Sequence, residues 1–151
     1  MNRAFVPLPT LPGTPLSGAP SAGDAGGYPA EQIALTVPLI DDAGLVLAAV
    51  PASNPLSLAK ARRALRSPLL RRATLEETEA ALPGVSPVAV PPFGMPLGLR
   101  ALADDRLLTY NRVVCSSGRP DSALLIDAGD LISIGRAQAA DICHGDAGEE
   151  A

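Results

Sequence analysis

Side chains able to do covalent or metal chemistry are scarce in this chain: two cysteines and one histidine in 151 residues. Cys115, Cys143 and His144 fall short of the four ligands a structural zinc takes, and no CxxC or HxxxH spacing is present. A nucleophilic Cys115 needs a nearby base or cation to lower its pKa, so a buried strand cysteine is the simpler reading. Ser116 and Ser117 are paired with only one distant histidine, which does not make a Ser-His-Asp triad. Asp104-Asp105 and Asp127 with Asp130 are acid pairs of the kind used in proton transfer. Both stand where helices are expected to begin, and there carboxylates stabilise exposed N–H groups.

Positive charge is the one concentrated feature. Lys60, Arg62, Arg63, Arg66, Arg71 and Arg72 fall within thirteen residues with no acid among them. On a helix, Lys60, Arg63 and Arg66 share a face at i,i+3 spacing. This pattern suits either a solvated helix surface or a patch that touches phosphates. The chain as a whole is acidic, with net charge −4. That excludes a protein that coats nucleic acid nonspecifically, and any polyanion must be met locally.

The elements that position these residues follow from pattern. Hydrophobic residues make up 47% and charged residues 19%, a globular composition of single-domain size. No apolar run approaches the roughly 20 residues of a bilayer span, so no membrane partner is expected. Two cysteines cannot build a disulfide scaffold, and free thiols suit a cytoplasmic location. Residues 1–27 read as a flexible Pro/Gly/Ala-rich arm in which neither helix nor strand persists. Residues 28–143 form the domain, and 144–151 a short acidic tail.

Within the domain, residues 32–40 alternate apolar and other residues as a strand does. Asp41-Asp42-Ala43-Gly44 turns into a second strand over 45–50. Asn54 and Pro55 open a helix through about Arg66. A short strand over 71–73 precedes a capping box, Thr74 to Glu77, whose helix ends at Pro83-Gly84. A proline-rich loop around a short strand spans 85–95. Strands are expected over 99–103, 112–116 and 123–126, with a helical turn over 104–108. Asp127 starts a helix near 131–134, and residues 140–142 close the domain. Hairpins and segregated helices together imply α+β rather than a wound parallel sheet.

In this order the segments EQIALTV (31–37), LVLAAVP (45–51), SLAKARRAL (57–65), ATLEETEAALPGVSP (73–87), AVPPFGMP (89–96), VVCSSG (113–118), ALLIDAGDL (123–131) and AADI (139–142) resemble the YbaK family of aminoacyl-tRNA deacylases, also found as the editing domain of bacterial prolyl-tRNA synthetases. The resemblance implies an α+β fold with a mixed, largely antiparallel sheet curled into a barrel-like core with flanking helices. It implies hydrolysis of the ester that joins a wrong amino acid to the tRNA 3′ end, in translation fidelity, without metal or cofactor. The implied partner is mischarged aminoacyl-tRNA, and an aminoacyl-tRNA synthetase stays open as a second. By the same resemblance the pocket is lined by Leu35, Thr36, Val88, Pro92, Phe93, Gly94, Ser117 and Gly118. The tRNA contacts would be Lys60, Arg62, Arg63 and Arg66.

Two positions depart from the family pattern. Leu35 stands where the family has a strand lysine, and Val88 where it has the glycine of Gly-x-x-x-Pro. An ammonium on a phosphate or ribose oxygen contributes about 1.5–3 kcal/mol, and leucine contributes none. A β-branched valine does not allow the close backbone approach that glycine does. Two readings therefore stand side by side: a trans-editing hydrolase, and an inactive member that binds tRNA or a synthetase.

Overall fold

The computed structural model describes residues 13–17, 27–94 and 98–145. Along the chain come β1 (Thr14–Ser17), β2 (Ile33–Asp41), β3 (Gly44–Pro51), α1 (Leu58–Leu65), β4 (Arg71–Arg72) and α2 (Leu75–Ala81). Then follow β5 (Arg100–Asp104), β6 (Arg112–Ser116), β7 (Ser122–Asp127), α3 (Asp130–Ser133) and β8 (Gln138–Ala140). Short 3-10 turns cover Ala30–Gln32 and Asp105–Thr109. No helix among the described residues is long and apolar enough to cross a membrane.

The α+β class is as expected, and the strands form one mixed sheet in the order β1-β7-β6-β2-β3-β5-β8, with β4 on β2. Pairs β1·β7, β2·β3, β2·β4 and β6·β7 are antiparallel, and β2·β6, β3·β5 and β5·β8 parallel. The expected barrel is corrected: the sheet is open, with β1 and β8 as its ends. Closure needs end strands that tilt and stagger onto one another, and strands of 4 and 3 residues offer few ladder bonds for it.

Local chemistry explains most boundaries. Gly44 has φ +117, which the tight β2–β3 turn requires and which favours glycine. The first helix starts later than the sequence suggests. Its N-cap is Ser57, whose side chain accepts from the Lys60 N–H, and not Asn54 or Pro55. The Thr74/Glu77 capping box of α2 is present in both directions. Helix α3 has Gly129 as N-cap with no side-chain cap bond, so Asp127 does not start it. The loop over residues 85–94 contains no strand; its prolines remove ladder donors.

The reading of residues 1–27 as an arm without strand structure fails at Thr14–Ser17, which pairs from Thr14↔Leu125 to Ser17↔Ser122. Leu16 packs with Tyr28, Ile33, Val114 and Ala123, which gives the segment an apolar anchor. Pro15 is tolerated because β1 is an edge strand. The rest of that arm, residues 1–12 and 18–26, lies outside the described residues, as do 146–151 of the acidic tail.

Each face of the sheet is covered. On one, Ala34, Ala49, Ala101, Ala103 and Cys115 pack under Phe93, Leu107 and Leu131. On the other, Leu39, Val46, Ala48 and Val50 pack under α1 through Leu58, Ala61 and Leu65, with Leu70 and Ile142. Small alanines in the strands let the covering layers come close.

A charged clamp fixes the β2–β3 corner. Arg100 donates Nη2 to Asp41 Oδ1 at 2.6 Å and Nη1 to Oδ2 at 3.1 Å, and Ser67 donates its hydroxyl to Oδ2 at 2.6 Å. The Asp41 side chain is 3% exposed and that of Arg100 38%. The Arg100 guanidinium and the Ser67 hydroxyl hold the Asp41 carboxyl well below the usual carboxylate range.

Two outcomes are expected. Leu16→Ala lowers stability by about 1 kcal/mol, about 3–5 °C in Tm; an unmoved melt shows that β1 contributes nothing. The Asp41 contribution is complete above its unfolded pKa, about 4, and is lost as pH falls through that value toward the depressed folded one. Asp41→Ala therefore costs about 2 kcal/mol at pH 7, below the value for a fully buried pair because Arg100 is partly solvated. The variant shows a shallower loss of stability below pH 4 in acid titrations followed by circular dichroism.

Candidate functional site

One edge of β2 is paired with β3 along its length. The other edge is shared. Strand β6 pairs with it at Ile33 and Ala34. Strand β4 pairs at Leu39 and Ile40, and the Ala73 N–H donates to the Pro38 carbonyl at 3.0 Å. Residues 35–37 lie in the break between these two partners.

Ladder alternation identifies the residue left over. The Ala52 N–H bonds the Ile33 carbonyl at 2.8 Å across β2–β3, so Ile33, Leu35 and Val37 direct their backbone groups to β3. Ala34, Thr36 and Pro38 direct theirs to the shared edge. Ala34 lies in the β6 pairing and Pro38 is reached by β4. Thr36 stands between them with its N–H and C=O facing the break. Its side-chain Oγ1 is also buried without a hydrogen-bond partner among the described residues. Leaving such a group unmatched costs about 1–3 kcal/mol, so the unladdered stretch of the β2 edge and the unmatched hydroxyl fall on one residue.

Side-chain alternation separates the two predicted strand residues. Thr36 shares a face with Ala34 and Ile40, which pack beneath Phe93 and Val90 respectively. Leu35 points to the α1 face with Val37 and Leu39, and also touches the Leu16–Tyr28 cluster. It is half-buried in apolar surroundings.

The proline-rich loop and the small-residue turn are clasped together. The Gly118 N–H donates to the Ala89 carbonyl at 2.8 Å, and the Ser86 N–H to the Gly118 carbonyl at 3.1 Å. Gly118 has φ +98, a conformation that favours glycine. The Ala89 N–H closes a turn on the Ser86 carbonyl at 3.0 Å. Val88 sits in that turn, 68% exposed. Strand β6 leaves its ladder with β2 after Cys115, so residues 116–118 run past the break.

The remaining predicted site residues have structural partners. Phe93 is wholly buried in the core, and Pro92 is buried beside it. Gly94 has no room for a side chain: a Cβ would lie 2.5 Å from the Leu99 carbonyl oxygen and 2.9 Å from the Ala101 Cβ. The Ser117 hydroxyl lies 2.6 Å from that of Ser122 and accepts from the Arg119 N–H at 3.3 Å. Cys115 is fully buried, and desolvation pushes its thiol far above the ordinary range. Neither is an activated nucleophile. Among the described residues no three His, Cys, Asp or Glu side chains cluster as metal ligands do.

The basic run divides. Lys60 donates to Asp141 Oδ2 at 3.0 Å and to the Cys143 carbonyl at 2.8 Å. Arg62 donates to the Leu70 carbonyl at 2.8 Å. Arg71 makes a bidentate pair with Glu77 at 2.8 and 2.7 Å, which holds the Glu77 carboxyl down to about 2. Arg63 and Arg66 are exposed and line a cleft with Arg62, Ser67 and Pro68. Ser86 and Ala89, which build the clasp, escaped the sequence reading. Pro38 offered a readable signal, since a proline within a strand marks an edge position without a ladder donor.

The sequence profile of the aminoacyl-tRNA editing domain matches residues 15–134. The chain belongs to the aminoacyl-tRNA editing domain family. Among solved structures, this editing domain is similar to a candidate trans-editing enzyme for prolyl tRNA synthetase, at 34% identity and TM-score 0.73, over 82% of this chain and 78% of that one. It is also similar to a scaffold protein used in computational epitope backbone grafting, at 28% identity and TM-score 0.76, over 87% and 86% of the two chains. Hypothetical protein APE2540 shares the fold, at 22% identity and TM-score 0.76, over 89% and 93%. No curated protein matches the sequence.

The Thr36 deficit makes a prediction that runs against the usual effect of a site mutation. Thr36→Val keeps the shape and removes the unmatched hydroxyl, so the protein gains about 1 kcal/mol. Thermal melts read this directly; a clear loss of stability would mean the hydroxyl is satisfied in the folded protein.

Proposed function

We propose that this editing domain is a trans-acting aminoacyl-tRNA deacylase whose substrate ester docks at the break in β2. The observation that carries this reading is Thr36, with a buried unmatched Oγ1 and main-chain groups aimed into the same gap. Ester hydrolysis develops negative charge on the carbonyl oxygen, and N–H donors fixed in place stabilise it without reorganisation. The Thr36 N–H is such a donor. Its hydroxyl and carbonyl accept from the attacking water, with the terminal ribose hydroxyl of the substrate as a further anchor. Water adds to the carbonyl carbon, the ribose oxygen leaves with a proton, and the free amino acid departs. No side-chain nucleophile is needed, which agrees with the engaged Ser117 and the buried Cys115. Ser117, Gly118 and the turn at Val88 form the wall opposite Thr36. Pro92, Phe93 and Gly94 hold that wall against the core.

Leu35 favours a second reading, a family member that binds the tRNA end or a synthetase without hydrolysis. It lies in an apolar cluster with Leu16 and Tyr28, so no ammonium is present at that position. One assay separates the two. Purified protein is incubated with a panel of mischarged tRNAs, and ester loss is followed against the spontaneous rate. Hydrolysis above background that falls at least about tenfold in Thr36→Val, and rises in Val88→Gly, supports the deacylase. Hydrolysis untouched by Thr36→Val overturns the proposed pocket. Saturable tRNA binding with no hydrolysis establishes the second reading.

A further inference from the structure

From Ala43 to Leu75 the chain carries no acidic residue and six basic ones, Lys60, Arg62, Arg63, Arg66, Arg71 and Arg72, within a protein of net charge −4. The structure sorts these six. Lys60, Arg62 and Arg71 are tied to carboxylates or carbonyls of the fold. The guanidinium groups of Arg63, Arg66 and Arg72 have no hydrogen-bond or ion-pair partner among the described residues, and all three residues are exposed.

Their placement is not scattered. Arg63 and Arg66 line a cleft of about 460 Å³ at the end of α1. Arg66 is fixed there by a left-handed backbone, φ 54 and ψ 42, with its N–H on the Arg62 and Arg63 carbonyls. Ser67, which follows, is anchored through its hydroxyl to Asp41 at 2.6 Å. The bond from Arg62 Nε to the Leu70 carbonyl ties this corner to the start of β4. Arg72 pairs in register with Leu39, and cross-strand partners share a face. Arg72 therefore lies on the α1 face of the sheet, the face of Leu35, at the margin of the break where β4 ends.

We propose that Arg63, Arg66 and Arg72 form a phosphate track along which the RNA backbone approaches the break. The track rests on the tRNA reading above. Unpaired arginines in an acidic protein attract a polyanion locally while the rest of the surface repels it, so the strand is guided rather than merely adsorbed. The three residues are positioning residues: they hold phosphates and take no part in bond breaking.

The test uses the full chain and unfractionated uncharged tRNA, with binding measured across a salt series. Arg63→Gln, Arg66→Gln and Arg72→Gln together should weaken binding at least about tenfold at low salt. They should also lower the slope of log affinity against log salt by roughly 0.7–0.9 per lost contact. Arg112→Gln is the control, an exposed arginine on the far end of β6, and should change neither quantity. Thermal melts of the triple variant and the parent should coincide, because none of the three guanidiniums has a partner within the described fold. In deacylation, Arg72→Gln should raise KM while kcat changes little, and Arg72→Lys should recover most of the loss. Unchanged affinity and salt slope in the triple variant overturn the track even if the protein hydrolyses mischarged tRNA. Salt-dependent binding that needs the three arginines, without any hydrolysis, leaves the track standing and removes the deacylase.

Discussion

The arrangement depends on one edge of β2 that serves two strands arriving from opposite ends. Strand β6 reaches it in parallel at Ile33 and Ala34, and β4 in antiparallel at Leu39 and Ile40. A parallel and an antiparallel ladder use different hydrogen-bond phases, so the two do not merge into a continuous edge. The interruption falls at Thr36. Everything nearby is built to keep it open: Pro38 carries no N–H to close it, and the Gly118–Ala89 clasp holds the turn of β6 to the loop rather than to β2. The polar deficit at Thr36 is thus a consequence of topology, stabilised by the surrounding core.

Much of the fold was legible in the sequence because local signals and burial agree. The β2–β3 hairpin has alternation, a turn sequence and a glycine at positive φ. The α2 helix has a reciprocal cap. Strand β6 coincides with its expected range because Val113, Val114 and Cys115 are an apolar run buried on both faces. The strand at Thr14–Ser17 was hidden because its stability is tertiary: Gly13 and Gly18 flank it, Pro15 lies within it, and only Leu16 reaches the core. The start of α1 was misplaced because Asn54 and Pro55 form a good helix opening in isolation. In the folded chain Asn54 instead donates its side-chain N–H to the His144 carbonyl at 2.9 Å, and Pro55 accepts from the His144 N–H at 3.0 Å.

The site was legible only in part, for a related reason. The family resemblance pointed to Thr36, Ser117 and Gly118, and the first of these carries the unmatched hydroxyl. It also pointed to Phe93 and Gly94, whose roles are packing ones: a ring that fills space above an alanine-rich sheet, and a residue with no room for a Cβ. Spacing along a helix grouped Lys60 with Arg63 and Arg66. Tertiary partners decide differently, since Asp141 and the Cys143 carbonyl hold Lys60, while Arg72, four residues beyond Pro68 in an irregular stretch, joins the unpaired set through the register of β4.

Residues 141–143 also fasten the first helix. Ser57, the α1 cap, donates its N–H to the Ile142 carbonyl at 2.8 Å, Leu56 bridges to Cys143, and Lys60 binds Asp141 and Cys143. The buried Asp104 carboxylate accepts from the Ile142 N–H at 2.9 Å. During synthesis these partners emerge more than eighty residues after Ser57 and Lys60, the residues they hold. On the ribosome, α1 and the arginines it carries therefore stay unfastened until residues 141–143 have emerged.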